Sequence, residues 1–150
     1  MAADSGLIAR LDTLVDAFNR RSLDLPDGLF DRRTQFLLNG APFESLLGRP
    51  AGDPLVLMLA RGPAGYRFVS KAVQHALPDA TLVRGVFDGD LAVVRGECWL
   101  SGRLRGADTP FEGVFGVDLT LGPGGAVQTA AVTMDEGSLA ALDAARKSAD

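Results

Sequence analysis

The sequence has few of the residues that mark a particular compartment or partner. Its single cysteine, Cys98, cannot form an internal disulfide, has no metal-binding motif around it and is interpreted as a core residue. The longest apolar run, Leu55 to Ala60, is far shorter than the ~20 residues of a membrane helix. Basic residues are not clustered and the net charge is −4, which disfavours nucleic acids and anionic membranes as partners. We therefore expect a cytoplasmic protein without a metal or a cofactor.

The chain has enough apolar material for one ordinary domain. Of its 150 residues, 47% are hydrophobic, and no repeat or linker divides them. The glycines of Gly122-Pro123-Gly124-Gly125 are not followed by a helix or a lysine, so they predict a hairpin turn and not a phosphate loop. The sequence predicts a single domain over residues 1–150.

Helical periodicity dominates the first half of the chain. Apolar residues at helical spacing predict an amphipathic helix from Leu7 to Arg21, followed by a short strand from Gln35 to Asn39. Asp53-Pro54 is typical of a helix start. We expect this helix to be interrupted at Gly62 to Gly65 and a second helical run to end before Pro78.

Beyond Pro78 the pattern changes to that of strands. Short connections separate the strands, which predicts antiparallel hairpins. Leu139, Leu142 and Ala145 predict a closing helix. Helices followed by a meander of strands are typical of an α+β domain whose helices cover one face of the sheet. The predicted strands are Thr81 to Phe87, Leu91 to Leu104, Phe111 to Leu121 and Ala126 to Met134.

Several fragments, in this order, resemble the NTF2-like or SnoaL-like superfamily. The resemblance spans nearly the whole chain, and it implies a cone formed by a curved, mostly antiparallel sheet under N-terminal helices, with a pocket inside and usually a homodimer. Hydrolases, isomerases, cyclases and binding modules share this fold. The fragments are Ala17-Phe18-Asn19-Arg20, Leu29-Phe30 to Gly40, Leu47-Gly48-Arg49, Leu77-Pro78-Asp79 and Gly124-Gly125-Ala126-Val127.

Two carboxylates are candidates for acid-base chemistry. Strand alternation places Arg95 and Glu97 on one face, where an arginine beside a carboxylate shifts its pKa. Asp135 ends the last predicted strand and is the second carboxylate. The alternative interpretations are an ion pair on the outer face of the sheet and an Asp that caps a helix ahead of Ser138.

The order of these motifs is similar to the limonene-epoxide-hydrolase branch of the superfamily. That resemblance implies Asp135 as the base, Glu97 as the acid, Arg95 as the bridge and Asn39 as a water-holding residue. Leu37 stands where the branch has a tyrosine, which favours cyclisation or isomerisation over simple epoxide hydrolysis. Ketosteroid isomerases are a second comparison, but they have a catalytic Asp near the place of Leu38.

Aromatic residues are the candidates for binding an apolar, polyketide-like or terpenoid-like substrate. Trp99, Phe36 and Phe115 line the cavity if their strand faces point inward. His75 is interpreted as a histidine near the end of a helix, with substrate contact as a lesser alternative. The orientation of the face from Arg95 to Trp99 separates three hypotheses. Inward carboxylates favour an acid-base enzyme, a purely apolar cavity favours a binding module, and an outward aromatic face favours a dimeric interaction domain.

Overall fold

Helices and strands of this chain form an α+β domain. The computed structural model describes residues 5–42, 61–90, 92–107 and 109–147. In these ranges, three helices accompany a six-stranded sheet. The elements are α1 (Ser5–Asn19), β1 (Phe30–Leu38), β2 (Ala41–Pro42), α2 (Gly62–Ala76), β3 (Thr81–Gly89), β4 (Val93–Arg103), β5 (Pro110–Leu121), β6 (Val127–Thr133) and α3 (Glu136–Arg146).

The sheet is mixed and open, with strand order β2-β1-β6-β5-β4-β3. The predicted hairpins are confirmed, because β3, β4, β5 and β6 pair antiparallel in sequence order. β1 pairs antiparallel with the short β2, and it pairs parallel with β6. This long-range parallel pairing places the first and last strands side by side in the sheet. The α+β class is the one expected from the sequence.

The helices agree with the predictions, except for the interruption at Gly62. α1 is an amphipathic helix that buries Leu7, Leu14 and Phe18. Gly62 to Gly65 begin α2 and do not break it, since a proline in the first turn needs no N–H partner. Gly62 has φ +63°, and a Cβ there would lie 2.7 Å from the Asp31 carbonyl oxygen of β1. The helix predicted to start at Asp53-Pro54 lies outside the described residues.

Two polar side chains fasten α1 to the start of β3. Asn19 forms paired hydrogen bonds with Leu82: its Nδ2 donates to the Leu82 carbonyl at 2.9 Å, and the Leu82 N–H donates to its Oδ1 at 2.7 Å. The Arg21 guanidinium donates to the carbonyls of Pro78 at 3.0 Å and Ala80 at 2.7 Å. These contacts hold the helix over the inner face of the sheet.

The inner and outer faces of the sheet differ in burial. On β4, Val94, Cys98 and Leu100 are buried towards the helices, whereas Val93 and Trp99 are exposed. The alternation predicted for this strand is therefore confirmed. Among the described helices, none is long and apolar enough to cross a membrane.

Candidate ligand-binding cavity

An apolar cavity of about 250 Å³ lies between the inner face of the sheet and the helices. All three described helices and strands β1, β3, β4, β5 and β6 contribute to its wall. The described residues that line it are Leu11, Leu14, Val15, Phe18, Phe30, Phe36, Leu38, Tyr66, Val69, Ser70, Val73, Leu82, Arg84, Phe87, Cys98, Leu100, Phe115, Val117, Leu119, Ala130, Val132, Met134, Leu139 and Leu142.

Aromatic rings form one part of this wall. Phe30 and Phe36 meet edge to face with their ring centroids 5.2 Å apart, and the Tyr66 ring lies 5.8 Å from Phe30. Such contacts hold the rings in fixed orientations. This part of the cavity is therefore a preformed surface against which a planar ring can pack.

Four side chains in the wall carry polar atoms. Tyr66 and Ser70 lie one helical turn apart on α2, and burial raises the pKa of the Tyr66 phenol although a hydrogen bond with Ser70 opposes the shift. Burial raises the pKa of the Cys98 thiol to about 11, outweighing the nearby charge of Arg84. Both groups are thus neutral at physiological pH, and Arg84 is the one charged side chain among the described lining residues.

The structure places two of the predicted aromatic residues in the wall and the other two candidates elsewhere. Phe36 and Phe115 line the cavity. His75 is exposed and lies in a groove between α2 and α3, where its carbonyl accepts from Arg105 Nε at 2.6 Å. Trp99 is 45% exposed on the outer face of β4, so the expectation that it lines the cavity is corrected.

Arg95 and Glu97 lie on the same outer face as Trp99. Arg95 Nε is 3.6 Å from Asp118 Oδ1, and both side chains are largely exposed. Glu97 is paired across the strands with Gly116, where an added Cβ would meet no atom within 4 Å. The acid-base hypothesis required these residues to face the cavity together with Asn39 and Asp135, and the structure does not bring the four together there.

Asn39 joins the end of β1 to the end of β6. Its Nδ2 donates to the Met134 carbonyl at 2.8 Å, and the Met134 N–H donates to its Oδ1 at 2.9 Å. Its φ of +50° is in the left-handed region that asparagine tolerates better than most residues. These features explain an asparagine at this turn without any contact with a ligand.

We expect Asn39→Ala to lower the free energy of unfolding by roughly 2–3 kcal/mol, because it removes both hydrogen bonds and replaces asparagine at positive φ with a residue that tolerates this conformation less well. Asn39→Gly loses the same bonds without the backbone strain and should cost less. Urea unfolding of the two variants measures this difference. Equal unfolding midpoints for wild type and Asn39→Ala would contradict the structural role.

Asp135 is the N-cap of α3. Its carboxylate accepts from the Ser138 N–H and from the Ser138 hydroxyl, each at 2.8 Å, and these bonds hold the pKa of Asp135 below its ordinary value of 3.8. The side chain is solvent-exposed. These contacts are those of an aspartate that caps a helix, which was the alternative interpretation of Asp135 in the sequence.

The depressed pKa of Asp135 predicts a specific acid response. A carboxyl group whose pKa is lower in the folded state adds stability above its unfolded value, about pH 3.8, and loses it as the pH falls through the folded pKa. Asp135→Asn keeps a good cap but cannot titrate. We expect similar melting temperatures for the two proteins at pH 7 and a smaller decline for Asp135→Asn on acidification. If the melting temperatures of the two proteins fell equally as the pH was lowered, this effect of Asp135 would be refuted.

Apolar side chains form a row across the outer face of the sheet. Val83 pairs with Trp99, and Trp99 pairs with Val114, so the three lie side by side on β3, β4 and β5. They are 53%, 45% and 42% exposed, respectively. We call these three residues the outer row. A contiguous exposed apolar surface of this kind is typical of a site of association.

Sequence reasoning did not identify Arg84 or Tyr66 as cavity residues. Arg84 follows Leu82 on the inner face of β3, and a bulge between Arg84 and Phe87 returns Phe87 to that same face. If the side chains of β3 alternated strictly, Phe87 would instead lie on the same face as Val83, which is the outer face. The sequence feature that indicates a cavity position for Tyr66 is its place one helical turn before Ser70 on an amphipathic helix.

Comparison with known proteins identifies the fold. No protein-family model matches the chain, and no curated protein matches it in sequence. Its structure is similar to TerC crystallised with polyporic acid, with a TM-score of 0.66, 14% identity, and coverage of 92% of this chain and 98% of TerC.

Two proposed polyketide cyclases show the same likeness. The SnoaL-like protein from Jannaschia sp. CCS1 has a TM-score of 0.65 at 12% identity, covering 97% of this chain and 94% of its own. IdmH from Streptomyces antibioticus has a TM-score of 0.63 at 19% identity, covering 93% and 97%. The chain therefore has the NTF2-like fold of these proteins, and its function has to be argued from its own residues.

Proposed function

We propose that the cavity of this NTF2-like fold binds one compact, mostly apolar molecule that contains a ring. The observation that carries the proposal is the apolar cavity of about 250 Å³ at the centre of the domain. A wall of aliphatic and aromatic side chains favours a ligand by removing its apolar surface from water. The edge-to-face rings of Phe30 and Phe36 favour a flat aromatic or polycyclic body.

The kind of ligand follows from the cavity wall and the structural neighbours together. One neighbour was crystallised with polyporic acid, and two are proposed polyketide cyclases. A polyketide-like ring system has the flat shape and apolar surface that this wall favours. We therefore place the ligand in the polyketide-like class.

Titration with N-phenyl-1-naphthylamine, a neutral probe that fluoresces in apolar surroundings, tests the proposal. We expect saturable binding of one probe per chain. The probe should also raise the melting temperature, because a ligand at 100 times its Kd adds about 2.7 kcal/mol to the stability of the folded state. A linear, unsaturable signal without a shift in melting temperature would overturn the proposal.

A catalytic role in cyclisation or isomerisation is the second candidate function. The presence of Tyr66 in the cavity wall favours it. Its buried phenol has a raised pKa and so keeps its proton at neutral pH. A neutral O–H in an apolar cavity can donate to a ligand carbonyl and stabilise the enolate that forms when that carbonyl reacts. The acid-base roles of Asp135, Glu97, Arg95 and Asn39 stay a prediction, which fails if either Glu97→Gln or Asp135→Asn retains turnover.

Tyr66→Phe tests the hydrogen bond to a ligand carbonyl. We expect it to weaken binding of 2-acetonaphthone by about 1 kcal/mol and to raise the carbonyl stretching frequency of the bound ketone, since one hydrogen bond is lost. The matched hydrocarbon 2-ethylnaphthalene should bind both proteins equally. An unchanged carbonyl frequency, measured by infrared difference spectroscopy, would exclude this role for Tyr66.

We further propose that two copies of the chain associate through the outer row. Val83, Trp99 and Val114 supply an apolar centre, and Arg95, Glu97 and Asp118 supply charges of both signs around it. Two-fold pairing of one surface with itself needs a patch that is self-complementary in this way. In the resulting homodimer each cavity would lie on the side of its own sheet that faces away from the interface.

A further inference from the structure

Arg84 is out of place in the wall of an apolar cavity. It is on the inner face of β3 between Leu82 and Phe87, and it is the one charged side chain among the described lining residues. Charged residues are rarely buried without a partner that offsets the cost of desolvation. The position of Arg84 on the inner face therefore raises the question of what its guanidinium binds.

The described residues satisfy only part of this guanidinium. Arg84 Nε donates to Asp12 Oδ1 at 2.6 Å, and Nη1 donates to the Gly85 carbonyl at 2.8 Å. A guanidinium carries five N–H donors. Two are used, so three have no partner among the described residues.

Arg84 is the less exposed member of its ion pair with Asp12. Its side chain is 23% exposed, whereas that of Asp12 is 51% exposed, so water screens the carboxylate more than the guanidinium. Cys98, the cross-strand neighbour of Arg84 on β4, stays a neutral thiol because burial raises its pKa to about 11. Neither residue supplies a negative charge inside the cavity.

We infer that the cavity selects an apolar molecule carrying one anionic oxygen group, a carboxylate or an ionised enol or phenol, and that Arg84 binds this group. The inference rests on the proposed function and adds the chemical class of the ligand. The apolar body would pack against the aromatic wall, while the anionic oxygen accepts hydrogen bonds from the N–H groups of Arg84 that have no partner among the described residues. Charge-assisted bonds of this kind favour the anion over a neutral isostere by about 10- to 100-fold in affinity.

A matched pair of probes tests the inference. 2-Naphthoate and 2-naphthamide have the same ring and nearly the same shape, but only the first is an anion at pH 7. We expect wild type to bind 2-naphthoate at least about tenfold more tightly. Arg84→Met, which keeps an unbranched apolar stem, should abolish this preference and retain binding of 2-naphthamide.

A second variant keeps the test valid if Arg84→Met does not fold. Asp12→Asn retains an acceptor for Arg84 Nε but removes the competing negative charge. It should strengthen binding of 2-naphthoate several-fold and leave that of 2-naphthamide unchanged. Isothermal titration calorimetry of both probes with each folded protein gives these comparisons.

The outcomes separate the two proposals. If neither probe binds, the proposed function fails. If both bind wild type equally and Asp12→Asn changes neither affinity, the cavity binds ligands but the role of Arg84 is refuted. A preference for 2-naphthoate that survives in folded Arg84→Met would also refute it, because another group would then hold the anion.

Discussion

Ala130→Phe is expected to abolish binding of N-phenyl-1-naphthylamine, a loss of at least about 100-fold, without weakening the fold. Ala130 is on the inner face of β6, paired with Phe36 and Leu119, and it lines the cavity. A phenyl ring at this position occupies space that the ligand needs. Filling an apolar void also buries more apolar surface, so the free energy of unfolding should stay unchanged or rise by about 0.5–2 kcal/mol.

The neighbouring residue on the same strand provides the matched control. Ala131 pairs with Asp118 and so points to the outer face. Ala131→Phe makes the identical chemical change on the opposite side of the sheet and should retain probe binding. Equal binding by Ala130→Phe and wild type would show that the probe does not enter the cavity.

Val83→Glu should convert a dimer of this chain to a monomer of 15.7 kDa. The substitution places a charge at one end of the outer row, beside Trp99 and in line with Val114. Burying an unpaired carboxylate in an apolar contact costs about 2–4 kcal/mol, roughly 30- to 1,000-fold in the dimer Kd. Sedimentation equilibrium measures the change in mass.

The single tryptophan reports the same event independently. Trp99 belongs to the outer row, so its emission should shift to longer wavelength when the dimer dissociates on dilution or in Val83→Glu. Val86→Glu is the control, because Val86 lies on β3 outside the row and is already 77% exposed. A wild-type chain that sediments as a monomer, or a Val83→Glu variant that stays dimeric, would contradict the proposed interface.

Periodicity predicted most of the elements but not every boundary. The strands from Thr81 onward and the closing helix were found because their apolar residues recur with the period of the local structure. Parallel pairing of β1 with β6 was not predicted, because it joins residues about 95 positions apart and leaves no local signal. The continuous start of α2 at Gly62 depends on close contact with Asp31, which is also long-range.

The candidate site was predicted less well than the fold, for a reason visible on two strands. Alternation on β4 correctly grouped Arg95, Glu97 and Trp99, but grouping does not say which face is inner. On β3 the bulge after Arg84 reverses the parity, so a strict period of two separates Arg84 from Phe87 although both line the cavity. Because of this bulge, the alternation of the sequence did not identify Arg84 as a cavity residue.

Methyl NMR of a leucine- and valine-labelled protein, titrated with N-phenyl-1-naphthylamine, shows on which side of the sheet the probe binds. Methyl groups of Leu14, Leu119 and Val132 line the cavity, whereas those of Val83 and Val114 are on the outer face. If the cavity is the binding site, the resonances of the first three residues should shift strongly and saturably while those of the other two stay in place. Shifts confined to the outer valines, with the cavity methyls unchanged, would refute binding in the cavity.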